Sequence, residues 1–178
     1  MCSKVAKYSF ILTCIFVDGV NNMSRTTRRL QPKPHSEIFE RVVNQAKSDK
    51  NIHEITAEEL KILMDSDCSN VILIDVREQD ERAAFYIEGS VHISRGVLER
   101  DIEKTISLIE SDNKQIITIC SGGYRSVLAA ASLVDMGYKN ICSVEGGLRK
   151  YLEQNYDNIV ETNTAYISHQ SSLSIFNI

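Results

Sequence analysis

The chain has 178 residues, 43% of them apolar and 25% charged, which is enough for one domain with a real core and short for two. A net charge of −4 gives no whole-chain attraction for nucleic acid. Its five cysteines, Cys2, Cys14, Cys68, Cys120 and Cys142, form no C-x-x-C pair and lie near no histidine at metal-ligand spacing. A structural zinc site and a disulfide framework are therefore not expected, no metal or cofactor is called for, and a reducing compartment fits better.

Residues 1–33 read as a leader or an upstream extension. Lys4 and Lys7 precede the apolar run Phe10-Ile-Leu-Thr-Cys-Ile-Phe-Val17, which has the length of a signal h-region and is too short to span a membrane. Asp18 interrupts it and no A-x-A-like end follows, while Arg25, Arg28, Arg29 and Lys33, with no acid among them, suggest a transit peptide. Met23 offers an alternative start. A cytoplasmic location is expected on that start, with mitochondrial or exported as the alternatives.

A single domain is expected over 34–157, with its motifs between 52 and 152. Ser36 can cap a helix bearing Ile38, Phe39, Val42, Val43 and Ala46 at helical spacing. Residues 52–55 alternate as a short strand, and Thr56-Ala-Glu-Glu59 reads as a capping box opening a helix with Leu60, Leu63 and Met64 on one face. After a polar turn holding Cys68, Val71-Ile-Leu-Ile74 is a continuous apolar run ending in Asp75-Val-Arg77, the look of a central parallel strand. A short helix over 78–86, a strand at Val91-His-Ile93 and a helix over 95–110 follow. Gln115-Ile-Ile-Thr-Ile119 is a second central strand, 126–136 a helix stopped by Gly137, Ile141-Cys-Ser-Val144 the last strand and 148–155 a closing helix. Strands alternating with helices predict an α/β, doubly wound, mainly parallel five-stranded sheet with helices on both faces. Residues 158–178 read as a polar, unordered tail.

Ligands of open α/β sheets bind outside the carboxyl ends of strands. There, Ile119 leads straight into Cys120-Ser-Gly-Gly-Tyr-Arg125 and a helix. Gly122 and Gly123 let the backbone curl so that successive amides point into one hollow, and the helix start adds its positive end. A thiol placed there is favoured as its thiolate, and Arg125 supplies a planar cation for an oxyanion. Cys120 is thus the expected catalytic nucleophile, with Ser121, Gly122, Gly123, Tyr124 and Arg125 binding substrate. Arg95 and Arg149 follow other strand ends and are candidates for the pocket mouth. Asp75 and Arg77 are expected to support the site structurally, His92 and Cys142 to be core, and Cys68 to be an exposed bystander.

These motifs resemble those of the rhodanese family. Cys120-Ser-Gly-Gly-Tyr-Arg-Ser126 looks like its active loop, Ile74-Asp-Val-Arg77 like its aspartate-valine-arginine signature, and Ile87-Glu-Gly-Ser-Val-His-Ile93 like its I-x-G-A-x-H-I segment. Gly146-Gly147 looks like its glycine pair before the last helix. Arg95-Gly-Val-Leu-Glu-Arg100 is similar to a run in one bacterial single-domain branch, and the likeness covers about 53–152 in the family's order. Tyr86 stands where the family often has histidine. The resemblance implies a sulfurtransferase. Cys120 would take a sulfane sulfur from thiosulfate or a persulfide donor and pass it to cyanide, a thiol or a protein acceptor. The alternatives are a sulfur-carrier or regulatory module working through protein partners, and a cysteine-dependent phosphatase or arsenate reductase. The phosphatase loop is one residue longer between Cys and Arg than the four residues here, and no acid for a leaving alkoxide is evident.

Overall fold

Two apolar runs set the centre of the molecule. In the computed structural model, which describes residues 35–66, 70–107, 113–154 and 156–162, they are the adjacent parallel strands β2 (Val71–Asp75) and β5 (Gln115–Ile119). Ile74, Ile116 and Ile117 have no exposed surface at all, because helices cover both faces of the sheet. The five-stranded sheet is parallel throughout, in the order β1 (His53–Ile55), β6 (Ile141–Val144), β5, β2, β4 (Val91–His92).

The helices divide into two layers. α1 (Glu37–Asp49) packs on α5 (Tyr124–Asp135), which also meets α4 (Leu98–Thr105). α2 (Ala57–Asp65) packs on α6 (Gly147–Glu153). α3 (Gln79–Arg82) is a single turn after β2. The capping signals act as read: the Phe39 amide donates to Ser36 Oγ, and Thr56 and Glu59 form a reciprocal box at 2.7 and 3.1 Å. The apolar face of α1 is only partly used, since Val43 is buried while Ile38 and Val42 are exposed.

Three expectations are corrected. The helix expected over 78–86 is one turn, after which Phe85–Ile87 forms β3. The helix expected over 95–110 starts as a 3-10 turn at Arg95–Val97 and becomes α-helical only over Leu98–Thr105. The tail does not begin as unordered chain: Ile159–Glu161 is β7, paired antiparallel with β3. Such pairs are long-range and leave no periodic mark in three residues of sequence. Residues 1–34 and 163–178, and with them the leader and most of the tail, lie outside the described residues, as does Cys68. No helix among the described residues is long and apolar enough to cross a membrane.

Register decides what meets at the top of the sheet. Asp75 pairs with Ile119, and the Val76 amide donates to the Ile119 carbonyl at 2.9 Å. The segments that follow β2 and β5 therefore leave the sheet side by side.

Candidate active site

Cys120 follows β5 directly and lies at the start of a tight loop that enters α5 at Tyr124. Gly123 takes φ +95°, a left-handed conformation in which a side chain would be strained. That turn carries the Gly123 amide to 3.2 Å from Cys120 Sγ. The loop was expected to present a row of amides to the sulfur; the Gly123 amide is the one that reaches it among the described residues. Cys120 is only 1% exposed, so the sulfur sits at the floor of the loop, against the core.

The other wall of the sulfur's surroundings is hydroxylic. Ser126 Oγ lies 3.5 Å from Sγ, donates to the Gly123 carbonyl at 2.8 Å and accepts from Ser143 Oγ at 2.9 Å. A protonated thiol can donate to Ser126 Oγ, whereas a thiolate would draw the Ser126 proton off the Gly123 carbonyl. Sequence alone gives Ser143 only as part of the last strand. The available signal was a polar residue between Cys142 and Val144, both buried, in a central strand.

α6 holds the loop from outside. Its first amides bind loop carbonyls, Leu148 N to Cys120 O at 2.8 Å and Arg149 N to Ser121 O at 3.0 Å. Planar trans peptides then turn the Ser121 and Gly122 N–H groups away from α6. This approach needs Gly147, where a Cβ would lie 2.2 Å from the Cys120 carbonyl oxygen and 3.0 Å or less from the Gly122 and Gly123 nitrogens.

The largest departure from expectation concerns Arg125. Its two terminal nitrogens bind both oxygens of Glu81, at 2.6 and 2.9 Å, and Nη2 also donates to Ser121 Oγ at 3.1 Å. Ser121 Oγ in turn donates to Glu81 Oε1 at 2.6 Å. The cation expected to face an oxyanion thus already holds a carboxylate. Burial works to raise the Glu81 carboxyl, but hydrogen bonds from Arg125 and Ser121 outweigh it and hold the group at about 2. Arg125 is pushed up in return, chiefly by its hydrogen bond to Glu81. Because Glu81 falls from an ordinary value of 4.5, its pairing stabilises the fold fully above that pH and is lost as pH falls toward 2. The urea midpoint is expected to drop more steeply between those two pH values in the native chain than in Glu81→Gln.

Glu81 went unread because nothing local ties it to a loop some 40 residues away. Its placement traces to Asp75 and Arg77, both buried. Arg77 binds Asp75 through Nε and Nη2, the latter at 2.7 Å, and caps the Glu81 and Phe85 carbonyls at 3.1 and 2.6 Å. Arg82 adds a contact to Asp75 at 3.2 Å. This buried cluster fixes the turn that presents Glu81.

The remaining candidates divide. Tyr124 turns its ring onto His35 and Phe39, with centroids 4.4 and 5.8 Å away. Arg149 lines a cleft with Gly122, Gly123 and Tyr124. Arg95 is not brought to the loop; it binds Glu99 at 2.8 Å and Ser132 at 2.9 Å, two turns along α5. His92 Nε2–H donates to the Arg77 carbonyl at 2.9 Å, and Cys142 is buried, with burial pushing its thiol up to about 11.

The model of the rhodanese-like domain matches residues 56–154. Over 101 residues the chain is 34% identical to the "Putative sulfur carrier protein YrkF" of Bacillus subtilis, a match covering 57% of this chain and 51% of that protein. It thus spans about half the length of that curated relative. Among solved structures, a protein of unknown function from Rhodopseudomonas palustris, described as a possible tyrosine phosphatase, is 29% identical with a TM-score of 0.59, covering 70% of this chain and 96% of that one. A rhodanese-related protein from Thermoplasma volcanium is 30% identical with a TM-score of 0.52, covering 61% and 97%.

Proposed function

Since the chain belongs to the family of rhodanese-like domains, we propose that it is a sulfurtransferase that carries a sulfane sulfur as a persulfide on Cys120. The observation that carries this reading is the Gly123 amide aimed at Cys120 Sγ at the head of α5. Cys120 thiolate attacks the outer sulfur of a donor. A bond forms between Sγ and that sulfur while the donor's own bond to it breaks, and the leaving group departs with the electron pair. A thiophilic acceptor, either cyanide, a thiol or a protein thiol, then takes the outer sulfur and returns Cys120 to its thiolate. The Gly123 amide, 3.2 Å from Sγ, is the main-chain donor that supports a charged sulfur on Cys120. The similarity to a protein named as a sulfur carrier supports an acceptor that is itself a protein.

Intact mass after incubation with a sulfane-sulfur donor tests the reading. The full chain is expected to gain one sulfur, mapped to the Cys120 peptide and removed by cyanide, and Cys120→Ser to gain none there. Folded protein that takes no sulfur, or takes it equally without Cys120, would overturn it. The described neighbour raises phosphatase chemistry as a second reading. Against it stand the four-residue spacing from Cys120 to Arg125 and the occupation of Arg125 by Glu81.

A further inference from the structure

We infer that Glu81 is a specificity-determining residue that turns the site away from thiosulfate and toward organic persulfides, donors of the type R–S–SH. This rests on the sulfurtransferase reading and narrows its donor. Thiosulfate is a dianion, and placing its outer sulfur on Cys120 puts a sulfonate in the mouth of the loop, where a cation must meet it. The cation the loop provides is Arg125, and both of its terminal nitrogens are bound to Glu81 in a two-pronged ion pair only partly open to solvent. The Ser121 hydroxyl, the other polar side chain of the loop mouth, donates to the same carboxylate.

Counting charge over this cluster, Arg125 and Glu81 cancel, and ionised Cys120 leaves the site negative. A dianion entering it meets repulsion that the paired Arg125 does not offset, whereas a persulfide, which carries at most one charge on its sulfurs and reacts as the protonated R–S–SH form, meets less. The neighbouring cations are committed as well: Arg77 and Arg82 to Asp75, Arg95 to Glu99, Lys47 to Glu54 and Lys150 to Glu145. Arg149, in the cleft beside Gly122 and Gly123, is the cation that could serve a sulfonate instead, and the test includes it.

The chemistry balances without a further reactant. Cys120 thiolate attacks the terminal sulfur of R–S–SH, the new S–S bond forms as the old one breaks, and RS⁻ leaves with the electron pair. The terminal sulfur keeps its proton as Cys120–S–SH. The negative charge of the Cys120 thiolate leaves with RS⁻, and no electrons are exchanged with a third party.

The experiment measures, on the full chain, the rates at which cysteine persulfide and thiosulfate each load one sulfur onto Cys120, by quenched mass spectrometry. The native chain is expected to load far faster from the persulfide. In Glu81→Gln, which removes the charge and keeps the shape, the thiosulfate-to-persulfide ratio of kcat/KM is expected to rise about tenfold or more, through a lower KM for thiosulfate. Glu81→Asp, which keeps the charge, should stay near the native ratio. A ratio unchanged in Glu81→Gln, or a native preference for thiosulfate lost on Arg149→Ala, overturns the inference while leaving sulfur transfer standing. Loading by neither donor in folded protein overturns both.

Discussion

Gly147→Ala is expected to lower stability by about 3 kcal/mol or more and to dismantle the Cys120 loop. The new methyl would sit 2.2 Å from the Cys120 carbonyl oxygen and 2.9 Å from the Gly123 nitrogen, all main-chain atoms with no rotamer by which to withdraw. The φ of +59° adds about 1 kcal/mol for any residue with a Cβ. Relief requires α6 to back away, which breaks the Leu148 and Arg149 hydrogen bonds to the loop carbonyls and frees the loop that brings the Gly123 amide to the sulfur. Urea denaturation reads the first effect, and sulfur loading at Cys120 reads the second. Gly96→Ala is the matched control: a Cβ there meets nothing within 4 Å, so its cost should stay within about 0.5 kcal/mol. Equal costs for the two variants would show that the close approach of α6 to the loop does not hold.

Arg77→Met is expected to cost about 3–5 kcal/mol, a large share of the roughly 5–15 kcal/mol of a whole domain. The substitution leaves Asp75, 1% exposed, as a buried carboxylate supported, among the described residues, by Arg82 and the residue-77 amide, and it takes one donor from each of the Glu81 and Phe85 carbonyls. Asp75→Leu with Arg77→Met, which removes both charges, should recover part of the loss, because the penalty lies in the unpaired ion more than in the missing attraction. The functional consequence travels the same path. Once the turn after β2 loses its anchor, Glu81 no longer grips Arg125, so the single variant should also raise the thiosulfate-to-persulfide loading ratio, as Glu81→Gln does. Chemical denaturation of the single and double variants, together with that ratio, checks both halves.

The two halves of the site differed in how far they could be read from residues alone. The loop was legible because cysteine, glycines and arginine are contiguous, and the turn they make depends on the left-handed conformation that Gly123 adopts. The loop's electrostatic state was not legible. Whether Arg125 faces substrate or a carboxylate depends on Glu81, which is 44 residues earlier and reaches it only because β2 and β5 are neighbours in register. Arg95 failed as a pocket residue for the same reason in reverse: position after a strand end suggested the mouth, but Glu99 one helical turn on and Ser132 across the helix pair captured it. The strand β7 was missed because a three-residue pairing is decided by its partner β3 rather than by its own composition.

Taken by itself, the amino-acid order determined the alternation of strands and helices, the parallel sheet that follows from it, and the place of Cys120 at the head of a glycine loop after a central strand. Those features rest on local preferences: hydrophobic period, caps, and the left-handed freedom of glycine. The tertiary structure alone decided how many amides reach the sulfur, that Ser126 and Ser143 back it, and that Arg125 is already bound. Each of these depends on distances between segments far apart in the chain, and electrostatic and hydrogen-bond energies depend on such distances steeply, while sequence spacing carries no record of them.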